Sequence, residues 1–376
     1  LLNGGLLDVS KLIPIGYYNP TITNCKVNNI KGLDNNGNET NEIGKETTSY
    51  AGGFVGRQIG TRITGCSVTT DDNLSIKGKN FVGGFAGASI NGEIKGLLSD
   101  LGVDLFKTTS TQSTIINSTV SGITSVTGND YVGGITGVLA NSYAINSSAQ
   151  HLANLQGHDY VGGVVGFSSL GWAISLGDEY GATDHNLLTT VKSLLIKLLG
   201  EEGDVSAVLS LVGISPSAIL GCSVVGNDLK ITGNDYVGGI TGRGDGTIIK
   251  NSSQDNLNKL HLFKNGLIEN IAIEQRDNVI CNLSKIDSTG DYVGGITGYM
   301  STASIGGLID GTVGLGRYVA FDVEDVKVNE TSSKNPIKYT VTSSGNRIGG
   351  AFGQATGGTI KNINIDTLTS VKGNNY

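Results

Sequence analysis

Short runs of alternating apolar and polar residues recur along the chain, each about the length of one strand. The first kind reads Ile-x-[Asn/Gly]-[small or apolar]-x-[apolar]. Copies are Ile22-Thr23-Asn24-Cys25-Lys26-Val27, Ile63-Thr64-Gly65-Cys66-Ser67-Val68 and Ile115-Ile116-Asn117-Ser118-Thr119-Val120, with shorter ones opening at Ile219, Ile249, Ile268 and Ile360. A second run, such as Leu74-Ser75-Ile76-Lys77-Gly78 or Leu229-Lys230-Ile231-Thr232-Gly233, leads into a third, glycine-bearing heptad. That heptad is YAGGFVG at 50–56, FVGGFAG at 81–87, YVGGITG at 131–137, YVGGVVG at 160–166, YVGGITG at 236–242 and 292–298, and RIGGAFG at 347–353. A period of two within each run predicts strands with one buried face, and Gly or Asn at the run ends predicts corners.

The heptads start at 50, 81, 131, 160, 236, 292 and 347, so successive starts differ by 31, 50, 29, 76, 56 and 55. The short intervals give the unit, and the long ones read as that unit plus an insertion. Three short strands and three corners in about 30 residues predict one rung of a parallel β-helix. The fold class expected is therefore all-β: a single β-solenoid over 1–376, right-handed by expectation, with small helical insertions. Rungs about 4.8 Å apart would make eight or nine of them a rod roughly 40 Å long. Alternation places Ile, Cys and Val inside and Thr, Lys, Ser and Asp outside. The Asn/Gly corner suits residues that tolerate positive φ. The glycine pairs Gly52/Gly53, Gly83/Gly84, Gly133/Gly134, Gly162/Gly163, Gly238/Gly239, Gly294/Gly295 and Gly349/Gly350 are read as structural, letting the chain bend tightly where a Cβ would keep rungs apart. Both ends fall within a unit, the expectation for a segment of a longer array.

Three insertions are expected. The stretch 88–112 has apolar residues at Ile94, Leu97, Leu98, Leu101 and Leu105 and reads as helical. The stretch 167–216 reads as a helical hairpin, with helices over 186–199 and near 205–212 and Asp184 and Gly200 as cap and stop. The stretch 301–346 reads as extra strands and loops, around 318–328 and 337–341. All three leave at one joint, between the heptad and the next Ile run, and so should line up along one edge of the rod. An edge of that kind can bind partners or merely cover an apolar flank.

Composition narrows the function. Gly numbers 58 of 376 residues and Pro only 4, which suits a turn-rich, hydrogen-bonded body. A net charge of −7 gives no electrostatic footprint for nucleic acid. No apolar run reaches membrane-spanning length, so no membrane insertion by this segment is expected. Of the four cysteines, Cys25, Cys66 and Cys222 share one inward column, where other rungs place Ser118, Ser252, Ile271 and Ile363. A small buried slot explains the column, and Cys25 and Cys66 fall on adjacent rungs within reach of a disulfide.

Candidate chemistry is sparse. Arg243-Gly244-Asp245 spells the integrin-recognition tripeptide and is expected on an exposed turn; an ordinary tight turn is the plainer reading. Asp34-Asn35-Asn36-Gly37-Asn38-Glu39 faintly resembles a calcium loop but lacks Gly at the sixth position and the terminal Glu of an EF-hand, so a solvated loop is expected. His151, His158, His185 and His261 are scattered, with no partner at metal-ligand spacing. Asp130, Asp159, Asp235 and Asp291 share the position before Tyr, and corner capping explains such a column. The tyrosines at 131, 160, 236 and 292 predict a structural aromatic ladder, with sugar binding as its alternative. No catalytic residues, cofactor or metal site are predicted.

The phrase VGGITG, with its variants VGGVVG and VGGFAG, resembles the GLUG-type repeat. The resemblance runs through seven copies and implies a β-solenoid region of a large secreted or wall-anchored bacterial protein. On that basis the expected function is a non-enzymatic segment of a surface adhesin, a rigid stalk presenting ligand-binding elements to a host or matrix protein or glycan. One alternative is the non-catalytic, substrate-positioning region of a secreted immunoglobulin A1 protease-type metallopeptidase, whose zinc motif is absent here. The other is a carbohydrate-binding or carbohydrate-active β-helix.

Overall fold

A computed structural model describes residues 20–94, 109–169, 216–226, 228–260, 272–304, 318–329 and 338–374. The chain coils into stacked rungs joined by parallel pairing, as a 20-stranded sheet wrapped round two corners and two 7-stranded sheets. Four inward columns run the length of the stack. The first is Ile22, Ile63, Ile115, Ala144, Ile219, Ile249, Val323 and Ile360, each paired with the next. The second passes from Val27 through Val68, Val120, Ala149, Val224 and Cys281 to Val328 and Ile365. The third holds Ile43, Ile76, Val126, Leu155, Ile231, Ile286, Val341 and Val371. The fourth, from the heptads, is Ala51, Val82, Val132, Val161, Val237, Val293 and Ile348. Interior members of these columns are fully buried, each worth about 1.5–3 kcal/mol for the larger side chains.

Each rung is cut more finely than three strands. The Ile run breaks at its Asn/Gly corner into two, as in Arg62–Thr64 and Ser67–Lys77, and the heptad breaks at its glycines, as in Asn80–Gly83 and Ala86–Ile90. The first corner has positive φ at Asn24, Gly65, Asn117, Asn146, Gly221, Asp325 and Asn362, with values of 49–64°. Asp325 and Asn146 belong to copies that the sequence pattern hides, because Val323 and Ala144 replace the leading Ile. The 318–328 and 337–341 stretches, expected as extra strands, are largely the seventh rung itself: Phe321–Val328 and Tyr339–Ser343 pair with rungs on both sides.

The heptad glycines work by contact rather than by φ. A Cβ on the first glycine of each pair would lie 2.0–2.3 Å from the carbonyl oxygen three residues on. On the second it would lie 1.9–2.6 Å from the matching glycine of the next rung, for Gly53, Gly84, Gly134, Gly163, Gly239 and Gly295. The left-handed position belongs instead to the aromatic residue: Tyr50, Phe81, Tyr131, Tyr160, Tyr236 and Tyr292 have φ of 58–62°, and Arg347 has 60°. A non-glycine residue there costs about 1–2 kcal/mol. Ring stacking returns about 0.5–1.5 kcal/mol per pair beyond the buried area.

Candidate functional site

The joint between heptad strand and next Ile run is tight at Gly60, Asn141, Gly246 and Gly357, where φ is 58°, 44°, 62° and 69°. It opens on the intervening rungs, the second, fourth and sixth. Gly92–Ile94 pairs antiparallel with Thr109–Thr111, and Ala303–Ser304 with Tyr318–Val319, so the chain leaves and re-enters the stack as a two-stranded neck. Between Ser169 and Ser217 the same joint carries the longest excursion. The three openings lie on alternate rungs, about 10 Å apart along one edge. The helices expected at 94–106, 186–199 and 205–212 fall outside the described residues, apart from Ile94 at the end of a strand. Residues 88–90 and 167–169 are rung strand.

Three excursions leave elsewhere, and the single-joint expectation does not hold for them. One follows Ser252, at the Asn/Gly corner of the sixth rung, and includes a short helix, Gln254–Lys259. Leu257 and Leu260 cover the outer face of the Ile strands against Ile116, Tyr143, Ile145 and Leu220. The chain then runs along the corner column as a strap. Asn117 Nδ2 donates to the Ala272 carbonyl at 2.9 Å, Asn146 Nδ2 donates to that of Glu274, and the Arg276 guanidinium reaches the Gly221 carbonyl at 3.1 Å. The Ile268 copy of the run lies outside the described residues. The other two, the hairpin of Gly32–Leu33 with Glu39–Thr40 and the stretch after Asn329, leave before the third column.

The tripeptide Arg243-Gly244-Asp245 is not on an exposed turn. It lies within the strand Thr241–Asp245, because its rung turns tightly one residue later at Gly246. Asp245 is 9% exposed. Arg243 Nε and Nη2 bind its two carboxylate oxygens at 3.1 and 3.0 Å, and Ser301 Oγ donates to Oδ1 at 2.6 Å. The guanidinium sits 5.3–5.8 Å from the ring centres of Tyr299, Tyr236 and Phe167. Burial is the largest single influence on the Arg243 pKa and lowers it, but the Asp245 charge and hydrogen bond, together with the Tyr160 and Tyr236 hydroxyls, outweigh it and hold the pKa above the usual value. The pair is satisfied internally, so integrin-type recognition would require breaking it.

The aromatic ladder forms as expected. From Tyr50 through Phe81, Tyr131, Tyr160 and Tyr236 to Tyr292, ring centres are 4.8–4.9 Å apart and interplanar angles are 2–17°. Arg347 closes it, its guanidinium 4.8 Å over Tyr292, while Nη1 binds Asp291 Oδ2 at 2.8 Å. Burial raises the pKa of Tyr160 and Tyr236. A sugar ring needs an open aromatic face, and a 4.8 Å stack leaves no space between faces; only edges are available.

The Asp column caps the corner, as expected. Asp130 Oδ1 accepts the Asp159 N–H at 3.3 Å, Asp159 Oδ1 that of Asp235 at 3.0 Å, Asp235 Oδ1 that of Asp291 at 2.6 Å, and Asp291 Oδ1 that of Asn346 at 2.7 Å. Sequence spacing missed one juxtaposition here. His158 Nδ1 lies 3.2 Å from Asp159 Oδ1 and 3.7 Å from Asp130 Oδ1. Both oxygens already accept backbone N–H bonds, so the trio reads as part of the cap. Burial raises the Asp130 pKa, opposed by the Asp159 N–H.

The thiol column has a similar logic. Cys66 Sγ accepts the Cys25 N–H at 3.3 Å, Ser118 Oγ that of Cys66 at 3.3 Å, and Ser147 Oγ that of Ser118 at 3.2 Å. Burial pushes the Cys222 thiol up to about 12. Cys281 stands in the Val column, buried and raised by desolvation. All four thiols are free. Asp34, in the solvated loop, accepts the N–H groups of Asn36 and Asn38, each at 2.8 Å, as a turn-forming side chain does.

A family model described as the GLUG motif matches residues 47–72, spanning the first heptad and the Ile run that follows it. No curated protein matches the chain, and no solved structure does. The chain thus carries the GLUG motif on a parallel solenoid, a structural repeat whose recurring positions, from glycine to Asp, are spent on stacking.

Proposed function

We propose that this chain is a non-enzymatic stalk of a bacterial surface adhesin, working outside the cell. A rigid solenoid holds inserted segments in a row for a host or matrix protein or glycan. The observation that carries the reading is the alternation at one joint: tight turns on odd rungs and excursions on the second, fourth and sixth. The heptad glycines, tyrosines, aspartates and thiol-column residues are all engaged rung to rung, which supports a scaffold over a catalytic surface. Binding would come from shape and hydrogen bonding along that edge, with no turnover. The sugar-binding alternative is less favoured at the aromatic ladder, whose ring faces are mutually occupied.

The test compares the intact chain with a variant whose 95–108, 170–215 and 305–317 segments are replaced by two-residue Asn-Gly turns. Both are assayed on immobilised matrix proteins and a glycan array, with circular dichroism and thermal unfolding as fold controls. Binding by the intact chain that disappears from an equally folded variant is the expected result. Equal binding by both, or by neither, overturns the edge as the recognition surface.

A further inference from the structure

Cys25 lies on the outermost described rung, where Ile22, Val27 and Ile43 are only partly buried. The pairs Thr23↔Thr64 and Lys26↔Ser67 bracket Cys25 and Cys66, so the two cysteines occupy equivalent positions on adjacent rungs. Neighbouring rungs lie about 4.8 Å apart. That falls inside the roughly 4.4–6.8 Å of Cα separation a disulfide spans. The sulfurs are not turned apart: Cys66 Sγ stands 3.3 Å from the Cys25 nitrogen, and each thiol donates to the carbonyl two residues before it, Thr23 at 3.6 Å and Thr64 at 3.5 Å. Cys25 is exposed and Cys66 is 1% exposed. Cys222 and Cys281 are fully buried on later rungs and have no such pairing.

We infer that Cys25 and Cys66 are an oxidation site that fastens the first rung to the second through a cross-rung disulfide. The co-reactant is a small-molecule or protein disulfide. The exposed Cys25 thiolate attacks one of its sulfurs, the co-reactant S–S bond breaks, and one thiolate departs. Cys66, after losing its proton, attacks Cys25 Sγ and expels the second thiolate. The co-reactant gains two electrons and, with the two protons released, becomes two thiols. Burial raises the Cys66 pKa, with the neighbouring Cys25 thiol adding to it, so the second step quickens as pH rises. The bond would close a loop between Cys25 and Cys66 and hold the first described rung against the second, in addition to the backbone ladder between them.

The experiment treats the reduced chain with oxidised glutathione at neutral and mildly alkaline pH. It reads intact mass, peptide maps without reduction, and amide exchange over 21–28. Expected are loss of two hydrogens, a Cys25–Cys66 linked peptide, Cys222 and Cys281 alkylated only after unfolding, and exchange over 21–28 slowed roughly tenfold. The Cys66→Ser variant should fold, because Ser118 and Ser147 occupy the same column, and should show neither cross-link nor slowed exchange. A lasting glutathione adduct on Cys25, a disulfide between two chains, or no reaction would each overturn the inference. A cross-link without slowed exchange would overturn its role as a fastening.

Discussion

Substituting Gly239 tests whether the glycine pair is there for close approach. It sits mid-stack with ordinary φ, so alanine needs no forbidden backbone conformation. Its Cβ, however, would lie 2.1 Å from the Gly295 carbonyl oxygen and 2.9 Å from Leu283 Cδ2. The shortest ordinary C···O approach is about 3.3 Å, so the joint must open by roughly 1 Å locally. Three backbone bonds cross it nearby: Val237 N to the Tyr292 carbonyl at 3.0 Å, Ile240 N to that of Ile296 at 2.7 Å, and Thr241 N to the same oxygen at 3.3 Å. Weakening three bonds worth about 0.5–1.5 kcal/mol each predicts a loss near 3 kcal/mol for Gly239→Ala. Gly350 holds the same motif position at the last heptad. Its nearest neighbour is the flexible tip of Leu368, at 2.8 Å, and the next atom is 3.8 Å away. Gly350→Ala should therefore cost under about 1 kcal/mol, or even stabilise by restricting the unfolded chain. Denaturant unfolding followed by circular dichroism, with amide exchange to localise opening, measures both. Equal costs for the two substitutions, whether large or small, would refute the close-approach argument.

Two further outcomes follow from the corner. Burial raises the folded-state pKa of Asp130, so the folded chain holds that proton more tightly than the unfolded one, and stability falls as pH rises through the carboxylate range. Asn keeps the Oδ1 acceptor for Asp159, so Asp130→Asn should be neutral or stabilising at pH 7 and indistinguishable from the parent near pH 3, read as the difference in Tm; a loss at pH 7 would contradict this. At Tyr160 the left-handed φ and the ring stack oppose one another. Phe keeps the stack and loses only the hydroxyl's hydrogen bond with Arg243, a cost of about 0.5–1.5 kcal/mol. Gly loses the stack but relieves φ, and Ala loses the stack and keeps the strain, so Ala should be worse than Gly by about 1 kcal/mol in denaturant unfolding.

The rung was legible because alternation and corners repeat at fixed positions, and seven heptads fix the register. The Asn/Gly corner, the aromatic ladder, the Asp cap and the thiol slot all followed from one-residue columns. Where substitution stayed within the physics but left the pattern, the copy disappeared: Ala144 and Val323 fill the Ile slot, and Asp325 takes the left-handed corner as Asn does. The seventh rung consequently reads as an insertion in the sequence. In the heptad the close approach expected of the glycine pairs is what the contacts show, while the left-handed φ falls on the aromatic residue, which its residue type does not announce. The placement of Arg243-Gly244-Asp245 depended on whether the fifth rung turns at Gly246 or continues outward, which spacing does not reveal. His158 met Asp130 only through stacking, since the residues are 28 apart in sequence and one rung apart in space.

Stacking also explains where such a chain can vary. Inside a rung, each inward side chain, corner acceptor and glycine touches its equivalents on the neighbouring rungs, so one substitution disturbs two joints. At the joint after the heptad strand, the backbone already continues the ladder through the turn: Asn91 N and Asn141 N donate to the carbonyls of Ala140 and Ser169, each at 3.1 Å, whether the rung opens there or not. An excursion that begins after that bond disrupts no column, and its neck adds antiparallel pairing of its own. Placing excursions on alternate rungs leaves a tight rung between each pair, so their bases need not compete for one 4.8 Å layer. Variation in length and composition is thereby least costly to the rod at that joint.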